Sequence, residues 1–279
     1  LSDNFVNRLL EDARGDLWVG TEKGLNCYAP REDRFYSHAH RSDIPWSLSD
    51  NNVMALCEDR SGTLWIGTWN SGINWFDNRE AQFRNYFNVP GDPHSLATDN
   101  VRDVWLDRQG ALWIATIDGL DRLEADGRTF THFRHDERQK GSISDDFVND
   151  LYEDGQGEMW VGTLRGLNRF DRRTGRFVTF RGAAADPFSL SSNAIQRVID
   201  DPSFPERFLL VGTRDNGMNR FHKKTGRCQR FVHDPRDPAS VGSRRVYCFH
   251  VQRGGPVWLG TSSGLDSFDP STQRFQHFR

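Results

Sequence analysis

Trp160-Val161-Gly162-Thr163 is the phrase that organises this chain. It returns as Trp18-Val19-Gly20-Thr21, Trp65-Ile66-Gly67-Thr68, Trp113-Ile114-Ala115-Thr116 and Trp258-Leu259-Gly260-Thr261, and a further copy, Leu210-Val211-Gly212-Thr213, lacks the tryptophan. Successive copies stand 47 to 50 residues apart, the length of one four-stranded propeller blade. The 279 residues therefore read as an all-β β-propeller of four-stranded antiparallel blades. Six blades are expected, at about 1–47, 48–95, 96–142, 143–189, 190–240 and 241–279, in one propeller domain spanning 1–279. The alternative is a piece of a seven-bladed or double propeller.

Each copy sits in the same frame. Before it stands an Asp-x-x-Gly turn, at Asp12 to Gly15, Asp59 to Gly62, Asp107 to Gly110 and Asp154 to Gly157, where the carboxylate can accept backbone N–H groups and glycine can take positive φ. After it a glycine (Gly24, Gly72, Gly119, Gly166, Gly217, Gly264) opens the third strand. The tryptophan is expected to pack between neighbouring blades, where burying such a side chain contributes about 1.5–3 kcal/mol. Long connections with a D-P-x-S pattern, at Asp92 to Ser95, Asp186 to Ser189 and Asp237 to Ser240, lead into the next blade, and Asp43-Ile44-Pro45-Trp46-Ser47 is a looser version. Features repeated in every blade are architecture, so function is sought where the copies differ.

With 36 basic and 39 acidic residues the net charge is −3, and no overall field attracts nucleic acid or anionic lipid. No run of about eighteen apolar residues exists. The opening Leu1-Ser2-Asp3-Asn4 already belongs to a repeat rather than to a signal peptide, so the chain is cytosolic or a piece of a longer exported one. Cys27, Cys57, Cys228 and Cys248 occur singly on predicted strands and read as small buried apolar residues.

The stretch Val148 to Phe180, VNDLYEDGQGEMWVGTLRGLNRFDRRTGRFVTF, resembles the two-component regulator propeller repeat of bacterial hybrid histidine kinases and related membrane receptors. That resemblance extends along essentially the whole chain. It departs in repeat five, which lacks Trp and carries Pro202-Ser203-Phe204-Pro205 in its first turn, and in repeat six, which has Arg244-Arg245 where others have Asn or Asp. It implies a periplasmic, non-catalytic sensor region, with oligosaccharides as common ligands in the family. A β-sandwich, a membrane helix and a kinase or diguanylate cyclase follow in the parent proteins. Signalling is expected through changed docking to those downstream domains or to a second protomer in a homodimer.

Two variable sets interrupt the frame. In the first strands these are Asn7-Arg8, Met54-Ala55, Arg102-Asp103, Asn149-Asp150, Gln196-Arg197 and Tyr247-Cys248, expected to ring the mouth of the channel with donors and acceptors suited to a polyhydroxylated or carboxylated ligand. A hydrated channel laced with internal salt bridges explains the same residues. The second set is in the turns between the second and third strands, where Trp69 beside Asn70 offers a stacking surface for a sugar, or else packs against Trp46. The candidate ligand-binding set is thus Arg8, Trp69, Asn70, Arg102, Asp103, Asp150, Arg165, Arg197, Arg214 and Arg245.

Neither a cofactor nor a metal is expected: His38-x-His40 has metal-compatible spacing but no third ligand and reads as a solvated loop. No nucleophile elbow, zinc-protease or phosphate-loop motif occurs. The enzyme alternative is a polysaccharide lyase or glycoside hydrolase using Asp103 with Asp150, and Arg8, Arg102 and Arg197 on a uronate. A protein-interaction scaffold is the third reading.

Overall fold

The computed structural model describes residues 1–77 and 82–278. Parts of the expected second and sixth blades, residues 78–81 and Arg279, lie outside the described residues. All regular structure among the described residues is strand. The first blade is β1 (Val6–Glu11), β2 (Leu17–Thr21), β3 (Gly24–Ala29) and β4 (Arg34–His38), and the second is β5 (Val53–Glu58), β6 (Leu64–Thr68), β7 (Ile73–Asp77) and β8 (Gln82–Tyr86). The third is β9 (Val101–Leu106), β10 (Leu112–Thr116), β11 (Gly119–Leu123) and β12 (Phe130–Phe133); the fourth is β13 (Val148–Glu153), β14 (Met159–Thr163), β15 (Gly166–Asp171) and β16 (Arg176–Phe180). The fifth is β17 (Ile195–Asp200), β18 (Phe208–Thr213), β19 (Met218–His222) and β20 (Cys228–Phe231), and the sixth is β21 (Val246–Val251), β22 (Val257–Thr261), β23 (Gly264–Asp269) and β24 (Arg274–Phe278). Every sheet is an antiparallel meander in chain order, so the fold is an all-β propeller of six four-stranded blades. The blades fall into two compact units, Leu1–Arg134 and His135–Arg279, with three blades each.

Within each unit one joint repeats. The glycine of the Trp-Val-Gly-Thr phrase faces the β-branched residue that opens the next blade: a Cβ on Gly20 would lie 2.6 Å from Val53 Cγ1, and one on Gly162 would lie 2.8 Å from Ile195 Cγ2. Glycine is needed there for close approach, and the β-branched knobs Val53, Val101, Ile195 and Val246 are completely buried. On β1, by contrast, Val6 and Leu9 are 44% and 60% exposed. Tryptophan also seals the joint, as expected: Trp18 meets Phe76 of the next blade edge-on at 5.9 Å, and Trp160 meets Phe221 at 5.6 Å.

The turn aspartates do more than shape a turn. Asp12 accepts the backbone N–H groups of Arg14 and Asp16, as its position predicts, and also the indole N–H of Trp18 at 3.0 Å. Trp65 with Asp59, Trp113 with Asp107 and Trp160 with Asp154 repeat this bond. Buried indole nitrogens thereby find an acceptor within their own blade.

A second buried network ties each incoming connection to the third strand. Asn26 accepts from Ser2 N and donates to Ser2 Oγ, and Asn74 with Ser49, Asn168 with Ser144 and Asn219 with Ser191 do likewise. In the third and sixth blades the serine is Ala97 or Gly242 and the asparagine is Asp121 or Asp266, which bonds instead to His132 or His277.

Candidate functional site

A β-bulge interrupts each first strand, between Val6 and Arg8, Val53 and Ala55, Val148 and Asp150, Ile195 and Arg197, and Val246 and Cys248, with the matching irregularity at Ala115/Thr116 in the third blade. Bulges re-aim side chains. Here they set Arg8, Ala55 and Asp103 opposite Gly20, Gly67 and Ala115, and Asp150, Arg197 and Cys248 opposite Gly162, Gly212 and Gly260.

In the unit Leu1–Arg134, Arg8 forms an ion pair with Asp103, which is buried. Arg102 turns the other way and places its guanidinium 4.9 Å from the centre of the Trp69 ring. Trp69 is 37% exposed, and its backbone N–H donates to Asn52 O at 3.0 Å. Asn70 N donates to Asp50 at 3.2 Å, and its side chain is exposed. Among the described residues Trp69 makes no ring contact with Trp46; Arg102 is its partner, so the expected packing against Trp46 is not what holds it.

In the unit His135–Arg279, Asp150 forms an ion pair with Arg197 and also accepts Val198 N at 2.7 Å. Arg165 extends to Asp145 at 3.3 Å and is largely exposed. Arg245 donates to Arg214 O at 3.0 Å and lies 5.8 Å from the Tyr247 ring centre. The ten expected residues thus form pairs: Arg8 with Asp103, Trp69 with Arg102 beside Asn70, Asp150 with Arg197, and Arg214 with Arg245, while Arg165 reaches Asp145. Arg8, Asp103, Asp150 and Arg197 on first strands are committed to internal ion pairs, which is the salt-bridged alternative. Asp103 and Asp150, the carboxylates of the enzyme alternative, are both neutralised by arginine.

Other readings divide. His38 is half-buried rather than in a solvated loop: it ends β4 and stacks on Trp18 at 6.0 Å, and burial lowers its pKa. His40 accompanies the connection to the next blade, with Nδ1 2.8 Å from Leu48 O. No group of metal-ligating side chains occurs among the described residues. Burial raises the Cys27 and Cys57 thiols to about 11 and that of Cys228 to about 12, so all three stay protonated. Cys248, expected to be buried, is exposed: β21 leaves Tyr247, Cys248, His250 and Val251 uncovered, whereas no position of β9 is exposed.

The fifth blade shows what replaces its missing tryptophan. Leu210 occupies the register of Trp160, and Arg220, the counterpart of Arg169, brings Nε within 2.5 Å of Asp201 Oδ2. The Phe208 and Phe204 rings lie 4.7 Å and 5.3 Å from that guanidinium. The turn aspartate therefore keeps a buried partner, now a cation in ion-pair contact rather than a hydrogen-bonded indole. The irregular Pro202–Pro205 stretch was visible in the sequence, but its coupling to Arg220 on another strand was not.

Residues 1–23, 47–70 and 142–165 match the model of the two component regulator propeller. No curated protein matches the chain. Among solved structures, virginiamycin B lyase from Staphylococcus aureus superposes with a TM-score of 0.69 at 12% identity, over 98% of this chain and 84% of that one. PorZ of Porphyromonas gingivalis superposes with a TM-score of 0.70 at 14% identity, over 94% and 38%. The extracellular domain of the putative hybrid two component system BT3049 from B. thetaiotaomicron aligns at 20% identity with a TM-score of 0.48, over all of this chain and 53% of that one. The chain spans about half the length of that domain. At these identities the superpositions on virginiamycin B lyase and PorZ establish the propeller fold alone. Three segments of the chain, residues 1–23, 47–70 and 142–165, thus carry repeats similar to those of the two component regulator propeller family.

Proposed function

We propose that this propeller is a non-enzymatic sensor module of a bacterial signalling receptor, facing the periplasm, and that it binds a carbohydrate fragment through the Trp69 surface. The observation that carries the binding site is the pairing of Trp69 with Arg102. A guanidinium on one side fixes the indole without closing it, and more than a third of the residue stays exposed beside the free amide of Asn70. A rigid aromatic with an adjacent amide and cation suits a sugar ring and its hydroxyl or carboxylate substituents. The repeat family supports the sensor role, and the ion-paired state of Asp103 and Asp150 favours binding over carboxylate chemistry. Signalling follows if ligand shifts how the propeller docks on downstream domains of its parent chain or on a second protomer.

The test is a glycan array followed by calorimetry. Saturable binding without turnover is expected, lost in Trp69→Ala and weakened in Arg102→Gln. Binding unaffected by Trp69→Ala removes the site, and product formation from a bound glycan removes the sensor reading.

A further inference from the structure

The fifth blade breaks the repeat in its first turn, and that departure builds a cavity of about 420 Å³ between the fourth and fifth blades. It opens at the end of the blades that carries the turns joining first to second and third to fourth strands, away from Trp69's kind of turn. Three successive carbonyls pin the inserted segment over it. Lys223 Nζ donates to Pro205 O at 2.6 Å, Gln156 Nε2 to Glu206 O at 2.9 Å, and Lys223 N to Arg207 O at 3.0 Å. Lys223 is only 6% exposed, and its ammonium also reaches Asp154 at 2.8 Å and Asp200 at 2.6 Å. All three of its protons are thereby used, so the floor is rigid, with one ammonium shared between two carboxylates.

The rim is not compensated. Glu158 lies 3.6 Å from Arg169, which leaves Glu206 as the one lining carboxylate outside an ion pair. Against it stand Arg207 and Lys224, whose charges meet no carboxylate among the described residues. His222 adds a directed donor: the N–H groups of Lys224 and Thr225 point at its Nδ1, at 3.2 and 3.3 Å, so the ring proton sits on Nε2. Two cations and an imidazole N–H around a preformed cavity, with a single opposing carboxylate, suit a compact oxyanion. We propose that this cavity is a second ligand site, for a phosphate, sulfate or carboxylate group, with Arg207, Lys224 and His222 as its donors. It lies outside the Trp69 surface and stands or falls independently of the carbohydrate reading.

The experiment is titration of the intact chain with inorganic phosphate, sulfate and acetate at low ionic strength, followed by calorimetry and by the ring resonances of His222. Saturable binding in the millimolar range is expected, at least about tenfold weaker in the double variant Arg207→Gln/Lys224→Gln, whose exposed side chains leave the pinning carbonyls in place. Glu206→Gln is expected to bind several-fold tighter, and Trp69→Ala unchanged. Binding of phosphate and sulfate alone identifies a tetrahedral ester group, and binding of all three identifies charge as the feature read. Absence of saturation with every anion, or equal affinity in the double variant, overturns the proposal.

Discussion

Arg8 on the first strand of the first blade pairs with Asp103 on the first strand of the third, across the level at which the intervening blade presents Ala55. A methyl group there lets a long side chain reach past one blade to the next but one. The aspartate is 1% exposed and the arginine side chain 22%, so removing one partner strands a charge with little water. Asp103→Asn is expected to destabilise the protein toward the low end of about 3–5 kcal/mol, because Arg8 keeps some solvent. Chemical denaturation of Asp103→Asn, Arg8→Gln and the double variant checks it; additive losses would show that the pair is not coupled.

The exchange of tryptophan for arginine in the fifth blade has its own energetic signature. Asp201 is fully buried and Arg220 has a side-chain exposure of 12%, so Arg220→Leu is expected to cost about 3–5 kcal/mol. Adding Asp201→Asn should recover part of that loss, since the uncompensated charge is then gone. A double variant less stable than Arg220→Leu alone contradicts the assignment.

His132 makes stability depend on pH. Its Nδ1 lies 2.6 Å from Asp121 and its Nε2 lies 3.0 Å from Pro93 O, two acceptors that only an imidazolium satisfies together. The hydrogen bond to Asp121 raises its pKa, opposed by burial and by Arg134. A raised folded pKa means that the stabilisation is fully present below about pH 6.5 and is lost as pH rises through the folded value. The stability difference between the wild type and His132→Asn is therefore expected to be larger at pH 5.5 than at pH 9. A difference independent of pH would place the role of His132 in packing alone.

Glycine in the repeated phrase is expected to be a packing requirement. Gly162→Ala sets a methyl carbon 2.8 Å from Ile195 Cγ2, on a β-branched side chain with little rotameric freedom. A loss of about 1–3 kcal/mol is expected from melting curves, and Ile195→Ala in the same chain should relieve the clash though not the lost burial.

The blades were legible because each rests on short-range chemistry: Asp-x-x-Gly turns, glycine opening the third strand, and tryptophan at a constant interval. The candidate site was legible only as a set of positions. Variation at Arg8, Arg102, Asp103, Asp150 and Arg197 marked where the copies differ, but a list of charges does not say which of them cancel. Arg8 and Asp103 are 95 residues apart, and Arg102 and Asp103, neighbours in the chain, point to different partners.

Sequence by itself thus determined the period and the four-stranded blade, since these depend on contacts within about fifty residues. Tertiary structure decided which charges are neutralised, what stands in for the missing tryptophan, and that the inserted turn of the fifth blade is pinned over a cavity. Those outcomes depend on which side chains two separate blades bring within hydrogen-bonding distance. Direction and reach are set by bulges and by small residues such as Ala55, and spacing along the chain does not carry them.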